Sequence, residues 1–410
     1  MNALWALQGI VWWKTTLNNS DALDLLMQQQ ELNFQPETRH LYSNSNYIIL
    51  AELVGKLRGL SFAEFTGKWF QEMGMKHSVF LADHRQISEE IAQPYFNFGK
   101  WTKHDWTSDL YGDGALFSTL QDQLLWEKII QGKGADRLAE TVRTQSQQVI
   151  AGSDFQDYGY GLEFGTYRDL PWRFHNGHTG GWNASTVRFP EQELSIVVLS
   201  NNSRMSPFWF AKKVARKLID IPPAQDFLLR PEQLGKKIKV TDVIGTYKTQ
   251  WGYYCKVAQK DDGFYLQRQE RNDIKMLPEA DNLFQQSDDS TFKQHFSLDE
   301  NGQLQITFYH TSHPPYSFTK IDNNKLPETL TDLDGKWVNQ ETGGIIKLKY
   351  QKEDQYAVTI RKKSGNARMY APDVLLLNDY RLDVIRDEAG LPVKLSLFDS
   401  RLQAVIFERI

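Results

Sequence analysis

The sequence predicts an α/β (α+β) domain over residues 1–222, a linker over 223–240, and two small antiparallel β-barrels over 241–325 and 326–410. Three observations carry this reading. Up to about residue 222, apolar residues recur at helical spacing in some segments and alternate in others. Beyond about residue 240 the helical period disappears and short alternating strands take over. Those strands form a repeat: "DVIGTYKTQ" (Asp242 to Gln250) and "DLDGKWVNQ" (Asp332 to Gln340) share D-x-x-G-x-[YW]-x-x-Q.

Composition narrows the class. The chain is 40% hydrophobic and 24% charged, ordinary for a globular protein. Net charge is −4 with Lys and Arg spread throughout, so no nucleic-acid partner is expected. The longest apolar runs, such as "LSIVVL", are far too short to span a bilayer. A single cysteine, Cys255, excludes an intrachain disulfide framework and a Cys-rich metal site. No cofactor is expected.

Each element follows in order. "MNALWALQGIVWW" is apolar from the start but lacks a basic n-region and a small-residue cleavage site. It reads like the middle of a domain. After Asn46, apolar residues at Tyr47, Ile48, Leu50, Val54 and Leu57 have helical period, closed by Gly59. Ser61 and Glu64 form a capping-box pattern that opens a second helix through "FAEFTGKWFQEM". "DGALFSTLQDQLLWEKII" predicts a helix starting near Ser118 or Thr119. "WNASTVRFP" and "ELSIVVLSN" read as two strands joined at Glu191 and Gln192, and "FWFAKKVARKLI" as a further helix.

The repeat continues beyond its first motif. "DENGQLQITF" (from Asp299) resembles "DEAGLPVKLSLF" (from Asp387), and "YSFTKID" ends the first copy much as "AVIFERI" ends the second. The second copy is therefore expected to be complete. Two copies are too few for a solenoid, but each is long enough for a closed antiparallel barrel that leaves no exposed edge.

Two short motifs carry candidate chemistry. Tyr42-Ser43-Asn44 lies directly ahead of a helix. A tyrosine there can act as a general base, given a nearby cation to lower its pKa from about 10. The plain alternative is a solvated helix start, and "YFN" (Tyr95 to Asn97) has the same form with no role assigned. The second motif is a doubled His-x-Gly, His175-Asn176-Gly177 and His178-Thr179-Gly180, leading into a strand hairpin. Small residues there let a ligand approach the backbone, whose N–H groups can form an oxyanion hole. A Gly-rich loop with surface histidines is the bland reading. A metal site is disfavoured, because the His175 and His178 spacing is not that of H-E-x-x-H and no third ligand stands out.

Together these motifs are more specific than apart. With "GDGALFST" between them, and "FQPETRHLYSNSNY" around the tyrosine, residues 1 to about 222 resemble the serine β-lactamase and penicillin-binding-protein superfamily. The class C-like branch of esterases, D-aminopeptidases and penicillin-binding-protein homologues is the nearest. Gly181 and Trp182 follow His175 at the distance typical of that branch, which favours His175 over His178 as the motif histidine. A hydrolase domain followed by two lipocalin-like barrels is similar in layout to the D-stereospecific aminopeptidases. The resemblance implies amide or ester hydrolysis through an acyl-enzyme, on a small-molecule or peptide substrate, in the periplasm or outside the cell. It implies Tyr42 as base and Asn44 as a substrate contact. It places His175 and Gly177 on the strand side of the site, with His178 and Thr179 on the substrate strand and the His178 N–H as one oxyanion donor.

The resemblance also exposes a gap. Members carry Ser-x-x-Lys on a helix, several dozen residues before Tyr-x-Asn, with the lysine helping to deprotonate the serine. Only 41 residues precede Tyr42, and residues 1–222 contain no Ser-x-x-Lys. Ser290 to Lys293 and Ser317 to Lys320 have the spacing but sit on strand-like text, where i and i+3 point to opposite faces, so both are rejected as nucleophiles. Family sequences often read "HTSGL" before an aromatic segment, and "MNALWALQG" fits directly after "HTSG". Met1 is accordingly expected to be an internal methionine used as a start, with the domain lacking its N-terminal part. Such a chain is expected to be inactive, to expose apolar surface that the absent helix would cover, and to be poorly stable as residues 1–222 alone. Two other readings stand beside it: a non-catalytic binder of a peptide or cell-wall fragment, and barrels that carry small ligands. Barrels this small are filled mostly by side chains, so capping or shaping the cleft is the expected role.

Overall fold

The computed structural model describes residues 1–38, 40–88, 90–134, 138–150, 157–220, 234–249, 252–268, 273–289, 292–310, 313–321, 331–360, 363–377, 380–399 and 402–410. Residues 223–233 of the expected linker, and Ser290, lie outside the described residues. The chain divides into two compact units, residues 1–6 with 10–222 and residues 7–9 with 223–410.

The first unit holds seven helices among its described residues: α1 (Asn2–Gln8), α2 (Asn19–Met27), α3 (Asn44–Arg58), α4 (Phe62–Glu72), α5 (Leu120–Ile130), α6 (Glu140–Gln145) and α7 (Pro207–Leu218). Their ends follow from local chemistry. Asn18 with Asp21, and Ser61 with Glu64, form reciprocal capping boxes at α2 and α4. Thr119 caps α5 and Ser206 caps α7. Gly59, at φ 65°, ends α3 in the left-handed conformation that glycine adopts most readily.

The strands of this unit are β1 (Val79–Phe80), β2 (Tyr95–Asn97), β3 (Trp101–Lys103), β4 (Leu116–Phe117), β5 (Glu163–Tyr167), β6 (Leu170–Thr179), β7 (Trp182–Phe189) and β8 (Leu194–Ser200). β1 pairs with β4 and β2 with β3, while β5 to β8 form one antiparallel sheet in sequence order. The predicted hairpin is β7 and β8, turning through Pro190–Gln192 and Glu193. Strand alternation gives this sheet two faces. Trp172, Phe174, Val187, Phe189 and Ile196 bury one face against Ala211 and Ala215 of α7. The other face carries Arg173, His175, Gly177 and Thr179 of β6, paired with Arg188, Thr186, Ala184 and Trp182 of β7.

α5 lies at one end of that second face. Its buried Glu127 forms a two-pronged ion pair with buried Arg188, at 2.6 and 2.7 Å, and accepts from Ser195 at 2.8 Å. Arg188 also donates to Gln147 at 2.9 Å. A buried pair of this kind locks helix to sheet by geometry more than by net energy.

α3 departs from the simple amphipathic expectation. Ile48 and Ala51 are buried, whereas Leu50, Leu53 and Leu57 are exposed, Leu57 by 75%. Of the apolar positions that suggested the helix, Ile48 faces inward while Leu50 and Leu57 do not. The helix is apolar on two sides, so its period alone does not select the inward one.

The second unit holds two closed eight-stranded antiparallel barrels, as the repeat implied. The first runs β9 (Gly245–Lys248), β10 (Tyr254–Lys260), β11 (Gly263–Arg268), β12 (Ile274–Ala280), β13 (Leu283–Gln286), β14 (Lys293–Leu298), β15 (Leu304–His310) and β16 (His313–Lys320). The second runs β17 (Gly335–Val338), β18 (Ile345–Lys352), β19 (Gln355–Ile360), β20 (Lys363–Ala371), β21 (Val374–Leu377), β22 (Tyr380–Arg386), β23 (Pro392–Phe398) and β24 (Val405–Arg409). The repeat motif has a structural meaning. Tyr247 and Trp337 are fully buried, and each bonds back to a carbonyl four residues earlier, Val243 at 2.7 Å and Leu333 at 3.2 Å. Large side chains such as Phe296, Ile306 and Phe308 fill the first barrel.

Candidate active site

The site is built from two sequence-distant segments that meet on the second face of the β5–β8 sheet. Tyr42 precedes α3 and Asn44 is its first residue. The Tyr42 ring lies 6.1 Å from the His175 ring, centroid to centroid, with their planes 29° apart. Tyr158 meets Tyr42 edge-on at 6.1 Å and stacks on His40 at 4.7 Å. Burial, reinforced by neighbouring Tyr47 and Tyr42, pushes the Tyr158 hydroxyl well above its ordinary value. Burial also holds His175 below its ordinary value, so it is neutral at pH 7 and is not the cation a tyrosine base needs.

Asn44 is held from outside its helix. Its Nδ2 donates to Asp113 Oδ2 at 3.0 Å. The segment bearing Asp113 is fastened to α2 and α3: Tyr111 donates its hydroxyl to Glu52 at 2.9 Å and its N–H to Asn19 Oδ1 at 3.0 Å. Gly112, at φ +100°, lets that segment pass close to α3, since an added Cβ would stand 2.6 Å from the Ala51 Cβ. Asp113 lies within "GDGALFST", so the sequence contained the residue but no sign of its partner.

β6 supplies the other half. β5 pairs with β6 only from Leu170 to Phe174, while β7 pairs with it as far as Thr179. Among the described residues, no strand covers the outer edge of His175–Thr179. Gly177 and Thr179 are exposed and share the Tyr42 side with His175. His178 points to the opposite side, where its Nδ1 is hydrogen-bonded to Asn183 Oδ1. Asn183 in turn donates to the carbonyls of Asn202 and Met205, at 2.8 and 3.0 Å. The His178 side chain thus braces the sheet from the side opposite Tyr42. Because His175 and His178 face opposite ways, they are not arranged to share a metal ion.

Sequence reasoning used Trp182 only to choose between the two histidines, and it gave no role to Trp106 or Phe117. Trp182 stands opposite Thr179 on the site face, with Trp106 and Phe117 packed edge-on at 5.9 and 5.4 Å. The rejected Ser317 to Lys320 string lies on β16, where Ser317 bonds to Thr307 at 2.8 Å and Lys320 to the Asp242 carbonyl. Asp83, His84 and Asp109 gather three possible metal ligands within 4.8 Å. Asp109 is taken by His84 at 2.7 Å and Asp83 by Arg85 at 2.6 Å. No helix among the described residues is long and apolar enough to cross a membrane.

Comparison with known proteins bears on this geometry. The family model described as Beta-lactamase matches residues 5–220. A D-aminopeptidase of Brucella ovis is 25% identical over 214 residues, covering 50% of this chain and 39% of that protein. A D-aminopeptidase of Gluconobacter oxydans is 26% identical over 191 residues, covering 42% of this chain and 33% of that protein. The chain thus matches well under half the length of these relatives. Among solved structures, an octameric penicillin-binding protein homologue from Pyrococcus abyssi is similar at 18% identity and a TM-score of 0.49, covering 78% of this chain and 75% of that one.

Proposed function

The chain belongs to the beta-lactamase family of serine hydrolases, and on that premise we propose that it carries the substrate-holding part of an amide- or ester-cleaving site without its nucleophile. The observation that carries this is the meeting of Tyr42 with His175 across from the open edge of β6. An extended acyl or peptide group can add to that edge, with Gly177 leaving room for it and the His178 N–H as one donor to a developing oxyanion. Asn44, steadied by Asp113, contacts the substrate from the α3 side. Tyr42 is the base in this reading. In the intact site a lysine would supply the positive charge it needs, and residues 1–222 hold no Ser-x-x-Lys.

The resemblance to D-aminopeptidases directs the substrate choice to amides of amino acids with a free amine. Location in the periplasm or outside the cell belongs to the same proposal. The test uses the full chain with a fluorophosphonate and a labelled penicillin. We expect neither to form a covalent adduct, while D-amino-acid amides bind reversibly. Covalent labelling overturns the missing-nucleophile reading. Failure of every amide to bind overturns the site itself and favours a partner-binding protein.

A further inference from the structure

The site face is bounded at both ends and bare in the middle. His175 and Tyr42 close one end, and Trp182 stands at the other, opposite Thr179. Between them on β6 and β7 lie Gly177 and Ala184, a cross-strand pair with almost no side chain, with Leu199 of β8 beside Ala184. From His175 to Thr179 the strand advances roughly 13 Å. At about 3.3 Å per residue that is the length of about four extended residues, and the His178 N–H lies near its Trp182 end, one residue from Thr179.

The far end is rigid. The Trp182 indole N–H donates to the Ala92 carbonyl at 2.6 Å, which fixes the ring and uses its polar edge. Phe117 and Trp106 meet it at interplanar angles of 86° and 76°. Gly180, at φ +55°, and Gly181, at φ +98°, turn the chain beneath them, with Trp106 packed against Gly180 and Phe96 against Gly181. All three aromatic rings are only half-buried. Phe117 also lies four residues after Asp113, so the wall is continuous with the segment that holds Asn44. Aromatic rings locked this way give up little conformational freedom when they bind another apolar group.

We propose that Trp182, backed by Phe117 and Trp106, is a specificity-determining wall that selects substrates with an aromatic or large apolar side chain beside the bond to be broken. The inference rests on the proposed function, because it requires the ligand to lie over Gly177. The wall contacts the substrate side chain, and the carbonyl to be attacked lies at the His178 N–H, one residue from Thr179.

The test is a ligand-observed NMR titration of the full chain with D-phenylalaninamide and D-alaninamide. The expected result is that D-phenylalaninamide binds at least roughly ten-fold more tightly, from burial of its ring. Trp182→Leu and Phe117→Leu should each bring the two affinities to within roughly two-fold. Both variants are checked by circular dichroism, and Phe117→Leu serves if Trp182→Leu does not fold. Equal binding of the two amides, weakened together by Gly177→Val, overturns the wall and leaves the proposed site standing. A preference for D-phenylalaninamide unchanged in the folded variants also overturns the wall. No binding of either amide overturns both.

Discussion

Asn44 and Asp113, 69 residues apart in the chain, are joined side chain to side chain at 3.0 Å. This bond ties the residue that opens α3 to a segment held by Asn19, Tyr111 and Glu52. The position of Asn44 is thus set by three elements, and Gly112 is the point where they crowd most. A side chain there meets Ala51 and forces an L-residue into a left-handed backbone. Gly112→Ala should destabilise the chain by about 1–3 kcal/mol, read as a lower urea midpoint. Asp113→Ala should cost less stability but weaken amide binding, because Asn44 loses its support.

The Glu127–Arg188 pair makes a second prediction. Both side chains are buried, and each satisfies the other. Arg188→Met strands the carboxylate and should cost about 3–5 kcal/mol. Glu127→Leu combined with Arg188→Met should recover much of that loss. Chemical denaturation of the single and double variants measures it. A double variant no more stable than the Arg188→Met single would count against the stranded-charge account.

His175 gives stability a pH dependence. Burial holds its folded value below the ordinary 6.5, so between the two values the unfolded chain binds more protons. Its contribution is therefore fully present above about pH 6.5 and is lost as pH falls through the folded value. His175→Gln should flatten the stability profile below pH 6.5 relative to the parent chain. Unfolding midpoints across pH 5–8 would show it, and a profile identical to the parent's would remove His175 as the cause.

The outer side of α3 makes the fourth prediction. Ile49, Leu50, Leu53 and Leu57 are all exposed on one helix. A contiguous apolar stripe of this kind binds hydrophobic dyes and promotes association. The native chain should enhance the fluorescence of an anilinonaphthalene dye. Leu50→Lys with Leu53→Lys should reduce that signal with a stability change within about 0.5 kcal/mol. A fragment of residues 1–222 should lack a cooperative thermal transition.

Local chemistry was legible in the sequence by itself. The Ser61–Glu64 capping box, the Gly59 stop and the Thr119 cap depend on residues within a single turn, and each formed as written. The two barrels were legible because the repeat preserved Tyr247 and Trp337, the aromatics that plug equivalent positions. The order of Tyr42-Ser43-Asn44 and His175-Asn176-Gly177 identified the family, since motif order survives where overall identity does not. Tertiary structure alone decided which distant residues meet. It brought Tyr42 to His175, Asp113 to Asn44, and Phe117 to Trp182. It also turned the His178 side chain away from the site and left Leu50 and Leu57 of α3 outward. The physical reason is the same in each case. A periodic pattern states that a face is apolar or polar, but which face is buried, and against what, depends on long-range packing that sequence spacing does not encode.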